Sequence, residues 1–231
     1  LNQPPIFLGG QGGIVGPLRM GYGNVVAANS VLRNDFPEDN KLIVGKSYSG
    51  KTVNFKPRAY QGLSRIVGNN IIYIANLMAL EQWYIHVRHS FLESQEFGQQ
   101  IFSGLLEKLA LAKKERIKRL QVLAEKSKIT LKNESEEGSD TVGRNEFHER
   151  FSDIERLFTE GICDDSVERY YDDFFFEFER LRGKKEAKYI AVIQGLPAHV
   201  SKKGVLWLQK IVDIFCERVK AIVPSFKLVG C

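Results

Sequence analysis

The sequence predicts a mixed fold: a short stack of parallel strands followed by a predominantly α-helical bundle. Three observations lead there. Aliphatic residues recur every six positions near the start, glycine and proline crowd the first quarter, and proline-free stretches with helical apolar spacing fill the rest. Of the 20 glycines, 11 lie in residues 1–70, and five of the seven prolines lie in residues 1–57. No proline occurs from Arg58 to Leu196. Both residue types punctuate turns and interrupt helices, so the chain divides near residue 57. We expect the end of the strand stack over 1–36, a loop connector over 37–57 and a helical domain over 58–231.

The repeat justifies the first element. Leu8, Ile14, Met20, Val26 and Leu32 are spaced by six without a miss. Small residues accompany them: Gly9, Gly21 and Ala27 follow directly, and Asn24 and Ser30 sit four positions on. In such a repeat each aliphatic side chain points into a triangular prism with short parallel strands as its faces, and successive turns bury a continuous stack. Gly23 and Asn29 occupy equivalent turn positions, and both residue types tolerate a left-handed backbone.

With these residues the segment resembles the left-handed parallel β-helix (hexapeptide-repeat) superfamily, above all in MGYGNVVAANSVLRND (20–35), similar to the closing coils of such domains. One coil cannot bury its own faces, so the resemblance implies an N-terminally truncated β-helix with further coils before Leu1. It points to the C-terminal part of a protein related to N-acetylglucosamine-1-phosphate uridyltransferase and other sugar-nucleotide pyrophosphorylases, or to a hexapeptide transferase of acyltransferase type. YQGLSRIVGNNIIYIANLMALEQWYIHVRHSF (60–91) also resembles the helical extension after the β-helix in proteins of that group. The resemblance implies trimers, and it implies Mg2+ with a nucleoside triphosphate, or acetyl-CoA, acting on a sugar phosphate in the longer parent protein. This chain would then supply scaffold and subunit contacts rather than catalysis. The four histidines, His86, His89, His148 and His199, all fall in the helical part, away from the coils where such transferases place a base.

The connector carries one sharp motif. GKSYSGKT (45–52) satisfies G-x-x-x-x-G-K-[ST], with Gly45, Gly50, Lys51 and Thr52 at the fixed positions and LIV (42–44) before it. In a phosphate loop backbone amides cradle the phosphates, Lys51 reaches the terminal phosphate and Thr52 meets magnesium. Such a loop must open a helix, whose N-terminal dipole faces the anion. Here Val53 and Pro57 follow, a poor helix start, and a basic, glycine-rich connector is the competing reading.

The helical elements follow in order. Over 60–92, Leu63, Ile66, Val67, Ile71, Ile74, Leu77, Met78 and Ile85 recur at three- and four-residue steps, interrupted at Gly68 and Asn69–Asn70. The cluster Trp83–Tyr84–His86–Arg88–His89 near its end is either a binding site or an amphipathic face. His86 and His89, three apart, could share a side, yet no carboxylate or cysteine completes a metal set, and no metal site is expected. A second helix is expected over 97–128, a pair over 145–160 and 164–182, a short segment over 189–195, and a last helix over 199–222. Asp164 or Asp165 would cap the fourth of these, and Ser201 the last.

Charge separates these helices. Residues 108–128 hold eight Lys/Arg against two Glu, whereas 146–179 hold twelve Asp/Glu against three Arg, within a chain of net charge +5. We expect the basic helix to lie beside the acidic pair, which leaves nucleic acid an improbable partner. The carboxylate pairs Asp164–Asp165 and Asp172–Asp173 could bind a cation or act as acid and base, but neighbours on a helix point apart, so a solvated face is the simpler reading.

Composition bounds the rest. With 43% hydrophobic and 11% aromatic residues the chain can bury a core, which excludes global disorder. The longest apolar runs are broken by Asn, Gln or charge, so no membrane span is expected. No signal segment follows Leu1. Three scattered cysteines, Cys163, Cys216 and Cys231, read as reduced thiols of a cytoplasmic protein. Three functions stand open: part of a pyrophosphorylase-like or hexapeptide-repeat transferase that forms homo-oligomers, a non-catalytic helical interaction module, or a nucleotide-binding protein acting through Gly45–Thr52. No catalytic residue is assigned in any of them.

Overall fold

Five two-residue strands pair in parallel at the start of the chain: β1 (Phe7–Leu8), β2 (Gly13–Ile14), β3 (Val25–Val26), β4 (Val31–Leu32) and β5 (Leu42–Ile43). The computed structural model describes residues 3–45, 52, 62–131, 139–161, 163–183 and 188–229, with the backbone alone at 128–131 and 139–141. The chain divides into two units, Leu1–Pro57 and Arg58–Cys231.

In the first unit β1, β3 and β5 form one sheet and β2 and β4 another. Phe7 stands in register with Val25, Val25 with Leu42, and Gly13 with Val31. Gly23 and Asn29 take the expected positive φ of 69° and 59°. β5 falls in the stretch read from the sequence as connector. Polar side chains tie the turns together. Asn24, fully buried, accepts from the Lys41 amide (2.7 Å) and donates to the Glu38 carbonyl (2.9 Å). Ser30 Oγ accepts from the Gly45 amide at 2.9 Å.

These sheets correct the β-helix expectation. A continuous stack requires every aliphatic of the repeat to face one core. Val26 and Leu32 are buried, but Leu8 and Ile14 are 53% and 46% exposed. The core is only Val26, Leu32 and Ile43, with Leu18, Met20 and Phe36 packed against it. Strands of two residues in small parallel sheets, within a chain that is mostly helical, are not coils of a left-handed β-helix. The fold class is therefore mostly α-helical with a few short parallel strands. The superfamily resemblance, the relation to pyrophosphorylases, and the transferase, nucleotidyltransferase and acyltransferase readings fall with it.

The second unit is a helical bundle. Its helices are α1 (Leu63–Trp83), a π-helical turn (Tyr84–Arg88), α2 (His89–Leu92), α3 (Gly98–Leu131), α4 (Ser139–Glu149), α5 (Phe151–Glu160), α6 (Asp165–Arg182), α7 (Tyr189–Gln194) and α8 (Ala198–Ile222). α1 and α6 both pack on α8, and α3 lies against α1 and α4. The core is rich in rings: Trp207, Phe147, Phe174, Phe178 and Phe215 are all but fully buried, and Phe174 stacks on Phe178 and Trp207.

Three local expectations change, the first being the single helix expected over 145–160, which is instead α4 and α5, broken at Arg150. Helix α1 runs through Gly68 and Asn69–Asn70, and the irregularity comes at the π turn instead. A Cβ on Gly68 would lie 2.2 Å from the Val229 carbonyl oxygen, so this glycine permits a close approach of chain rather than a break. Helix α8 starts at Ala198, with Pro197 and not Ser201 at its cap. Asp164 does cap α6, accepting from the Ser166 amide at 3.0 Å.

Leu63–Leu92 is long and apolar enough to cross a membrane by length and composition. Half of that window is buried inside the bundle, as in the central helix of a soluble protein.

Candidate functional site

The acidic face of α6 meets the π turn across an open cleft of about 390 Å3. Asp164, Glu168, Tyr171 and Asp172 are spaced by four, three and one, so the 3.6-residue period places them on one side of the helix. Gln82 and His86 come from the other wall, with Trp207 of α8 at the base and Cys163 at one end.

A π turn carries one extra residue relative to an α-helix, and such turns recur at functional sites. Here it separates two histidines that the sequence could place together. His86 turns into the cleft, its ring centre 4.6 Å from that of Tyr171 and 6.0 Å from that of Trp207, which it meets edge to face. Its Nε2 lies 3.1 Å from Gln82 Oε1, which accepts when Nε2 carries the proton. His89 instead packs on Phe102 at 4.1 Å and lies 3.6 Å from Glu93. Trp83 and Arg88, from the same cluster, serve the bundle: Trp83 Nε1 donates to the Tyr189 hydroxyl (3.1 Å), and the Arg88 guanidinium covers the Tyr189 ring at 3.9 Å.

The electrostatics follow from these contacts. Burial lowers the His86 pKa below its ordinary 6.5, which leaves the imidazole neutral at pH 7. Burial, together with the negative charges of Asp172 and Glu179, raises the Tyr171 phenol, so it stays a hydroxyl. The Ser166 hydroxyl and amide hold Asp164 below the usual carboxylate range, and Arg218 contributes less, from 3.4 Å. Glu168 and Asp172 have no cationic partner among the described residues, and no Lys or Arg lines the cleft. It is an anionic pocket with an aromatic wall.

A second cavity of about 440 Å3 adjoins it, sharing Gln82 and Val167. Its apolar lining includes Met78, Phe158, Ile211 and Phe215, and its polar side holds the Lys113–Glu81 pair at 2.6 Å. The expected charge arrangement is met in part: α3 packs on α4 and α5, the first of the acidic segments, while its charges are answered elsewhere. The basic helix α3 sends Lys113 to Glu81 of α1, pairs Arg119 with Glu115 within itself, and lays Arg116 over Tyr73 of α1. The acidic helix α6 is answered by α8, through Arg218 on Asp164 and through His199 and Lys203 on Glu177.

One member of each carboxylate pair, Asp164 and Asp172, reaches the cleft, while Asp165 and Asp173 do not line it. Of the phosphate-loop residues, Gly50 and Lys51 lie outside the described residues, as does Cys231. Gly45 and Thr52 are described, and the Gly45 amide already donates to Ser30. No cluster of three or more His, Cys, Asp or Glu suited to a metal ion occurs among the described residues. Sequence reasoning did not single out Tyr171, Trp207, Gln82 or Cys163 as site residues. The shared stripe of Asp164, Glu168 and Tyr171–Asp172 was the available signal for one wall, and of the other only His86 stood in a cluster singled out from the sequence. Comparison with known proteins identifies no relative: no family model, no curated protein and no solved structure matches the chain.

Proposed function

We propose that the helical unit is an interaction module whose cleft receives a basic side chain from a partner protein. The observation that carries this reading is the pairing of two carboxylates that lack a cationic partner among the described residues, Glu168 and Asp172, with the Tyr171 ring and a neutral imidazole in one open pocket. A lysine or arginine entering it gains the carboxylate charges and the face of an aromatic ring, a contact worth about 0.5–2 kcal/mol. The adjoining cavity offers apolar surface to the neighbouring residues of the same peptide. Each exposed charge pair adds under about 1 kcal/mol, so binding is modest and weakens with salt. We place the module in the cytoplasm, where the free thiols of Cys163 and Cys216 stay reduced.

The test uses the full chain and fluorescein-labelled peptides of alternating Arg–Gly or alternating Glu–Gly, read by anisotropy. The Arg peptide binds and the Glu peptide does not, and Glu168→Gln with Asp172→Asn weakens binding roughly tenfold. Equal binding of both peptides, or an unaltered affinity in the double variant, rules the reading out.

A further inference from the structure

The cleft and the cavity beside it differ in how their charges are answered. The cavity of about 440 Å3 carries Glu81, Lys113 and Glu160 at its polar side. Lys113 pairs with Glu81 at 2.6 Å, and Arg156 stands 3.7 Å from Glu160. In the cleft of about 390 Å3, Arg218 answers Asp164, whereas Glu168 and Asp172 lack a cationic partner among the described residues. A cation therefore gains in the cleft, while in the cavity it meets carboxylates already matched. The deep wall of the cavity is apolar instead, formed by Phe158, Ile211 and Phe215. An aliphatic side chain placed against it leaves water.

The two spaces lie side by side. Gln82 of α1 and Val167 of α6 line both, so a partition of single side chains divides them. In an extended peptide, side chains i and i+2 project to one face about 6.6 Å apart, while i and i+1 point to opposite faces. The alternate spacing is the one that straddles such a partition. Gln82 also has a hydrogen bond to give. Its Oε1 faces His86 Nε2 at 3.1 Å, which leaves the carboxamide nitrogen to donate to a backbone carbonyl crossing the partition.

We infer that the partner segment is an extended basic–x–aliphatic stretch, with its Lys or Arg in the cleft, its aliphatic residue in the cavity and a backbone carbonyl between them on Gln82. This rests on the reading of the cleft as a receptor for a basic side chain, and adds the partner's second residue and its register. A second basic residue in place of the aliphatic one gains little, because the Lys113–Glu81 pair offers it no unmatched charge.

Anisotropy of fluorescein-labelled peptides with the full chain tests the register. Arg–Gly–Leu and Leu–Gly–Arg, each set between glycine–serine flanks, are compared with Arg–Gly–Gly and with the adjacent arrangement Arg–Leu–Gly. One of the two alternate orders binds about tenfold tighter than Arg–Gly–Gly, the scale of burying a leucine side chain, and Arg–Leu–Gly shows no such gain. Thr159→Trp replaces an exposed residue lining the cavity and fills it. In that variant the leucine gain is lost while Arg–Gly–Gly binds as before; the peptide series in the parent chain decides the register even if the variant does not fold. Arg–Gly–Gly binding with no leucine gain, an equal gain in Arg–Leu–Gly, or a gain that survives Thr159→Trp overturns this inference and leaves the reading of the cleft standing. Failure of every arginine peptide to bind overturns both.

Discussion

The two units hold themselves together by different means. The strand unit buries three aliphatic side chains, Val26, Leu32 and Ile43, and depends on polar stitching: Asn24 to Glu38 and Lys41, and Ser30 to Gly45. The helical unit packs ring on ring, with Trp207 against Phe174 at 5.8 Å and Phe158 against Phe215 at 5.2 Å. Two-residue strands bring too few side chains together for apolar burial to dominate, whereas long helices present broad apolar stripes. The lesson is that a small core makes single hydrogen bonds decisive, and a large one makes single rings decisive.

The sharpest test of that contrast is Trp207→Ala. Removing a side chain 1% exposed at the junction of α6, α8 and the π turn costs about 3–5 kcal/mol by lost transfer energy and cavity formation. Urea unfolding followed by far-UV circular dichroism shows it as a lower midpoint, and a loss under about 1 kcal/mol would show that the rings do not anchor the bundle. Next is Asn24→Ala, which strips the Lys41 amide and the Glu38 carbonyl of their buried partner. Its cost is about 2–3 kcal/mol of local stability. Hydrogen exchange at Lys41 and Ile43 accelerates in this variant while the bundle amides keep their rates. Unchanged exchange at those amides would deny the polar stitching.

The smallest effect is a pH dependence at the cleft. His86 has a folded pKa below its unfolded value near 6.5, so the unfolded chain binds the proton more readily. Stability is full above that value, declines as pH falls through 6.5 and levels off below the folded pKa. Asp164, also lowered, contributes stability that is present above its unfolded value near 3.8 and is lost below it as the folded group titrates. Thermal midpoints of the parent and His86→Asn should converge as pH falls from 7 to 5 and then separate no further. A parent more stable at pH 5 than at pH 7 would reverse the sign and with it the desolvated position of His86.

Legibility in the sequence followed the range of the interactions. The bundle's helices were readable because three- and four-residue apolar spacing is a local record of burial on one side, as in Phe151, Ile154 and Phe158 or Phe174 and Phe178. The Asp164 cap was readable because a cap acts over two residues. The period-six pattern was equally regular and misled. Spacing says that Leu8 and Val26 face the same way, but not whether anything covers them. The π turn had no sequence mark, and it holds His86 but not His89. Of the cleft, the α6 wall was implicit in residue spacing. Gln82, His86 and Trp207 joined it only because α1 and α6 both pack on α8, which brings the end of α1 and the π turn to the cleft.

By itself, then, the sequence determined which segments are helical, which faces are apolar, and that the charges fall in opposite blocks, because each depends on residues within one or two turns. The tertiary structure decided which blocks meet. It set α6 against α8 instead of α3, and it turned one histidine, two carboxylates and a buried tryptophan into a pocket. Those outcomes depend on contacts between residues distant in the chain, as Arg218 with Asp164 or His86 with Tyr171, and no local pattern records them.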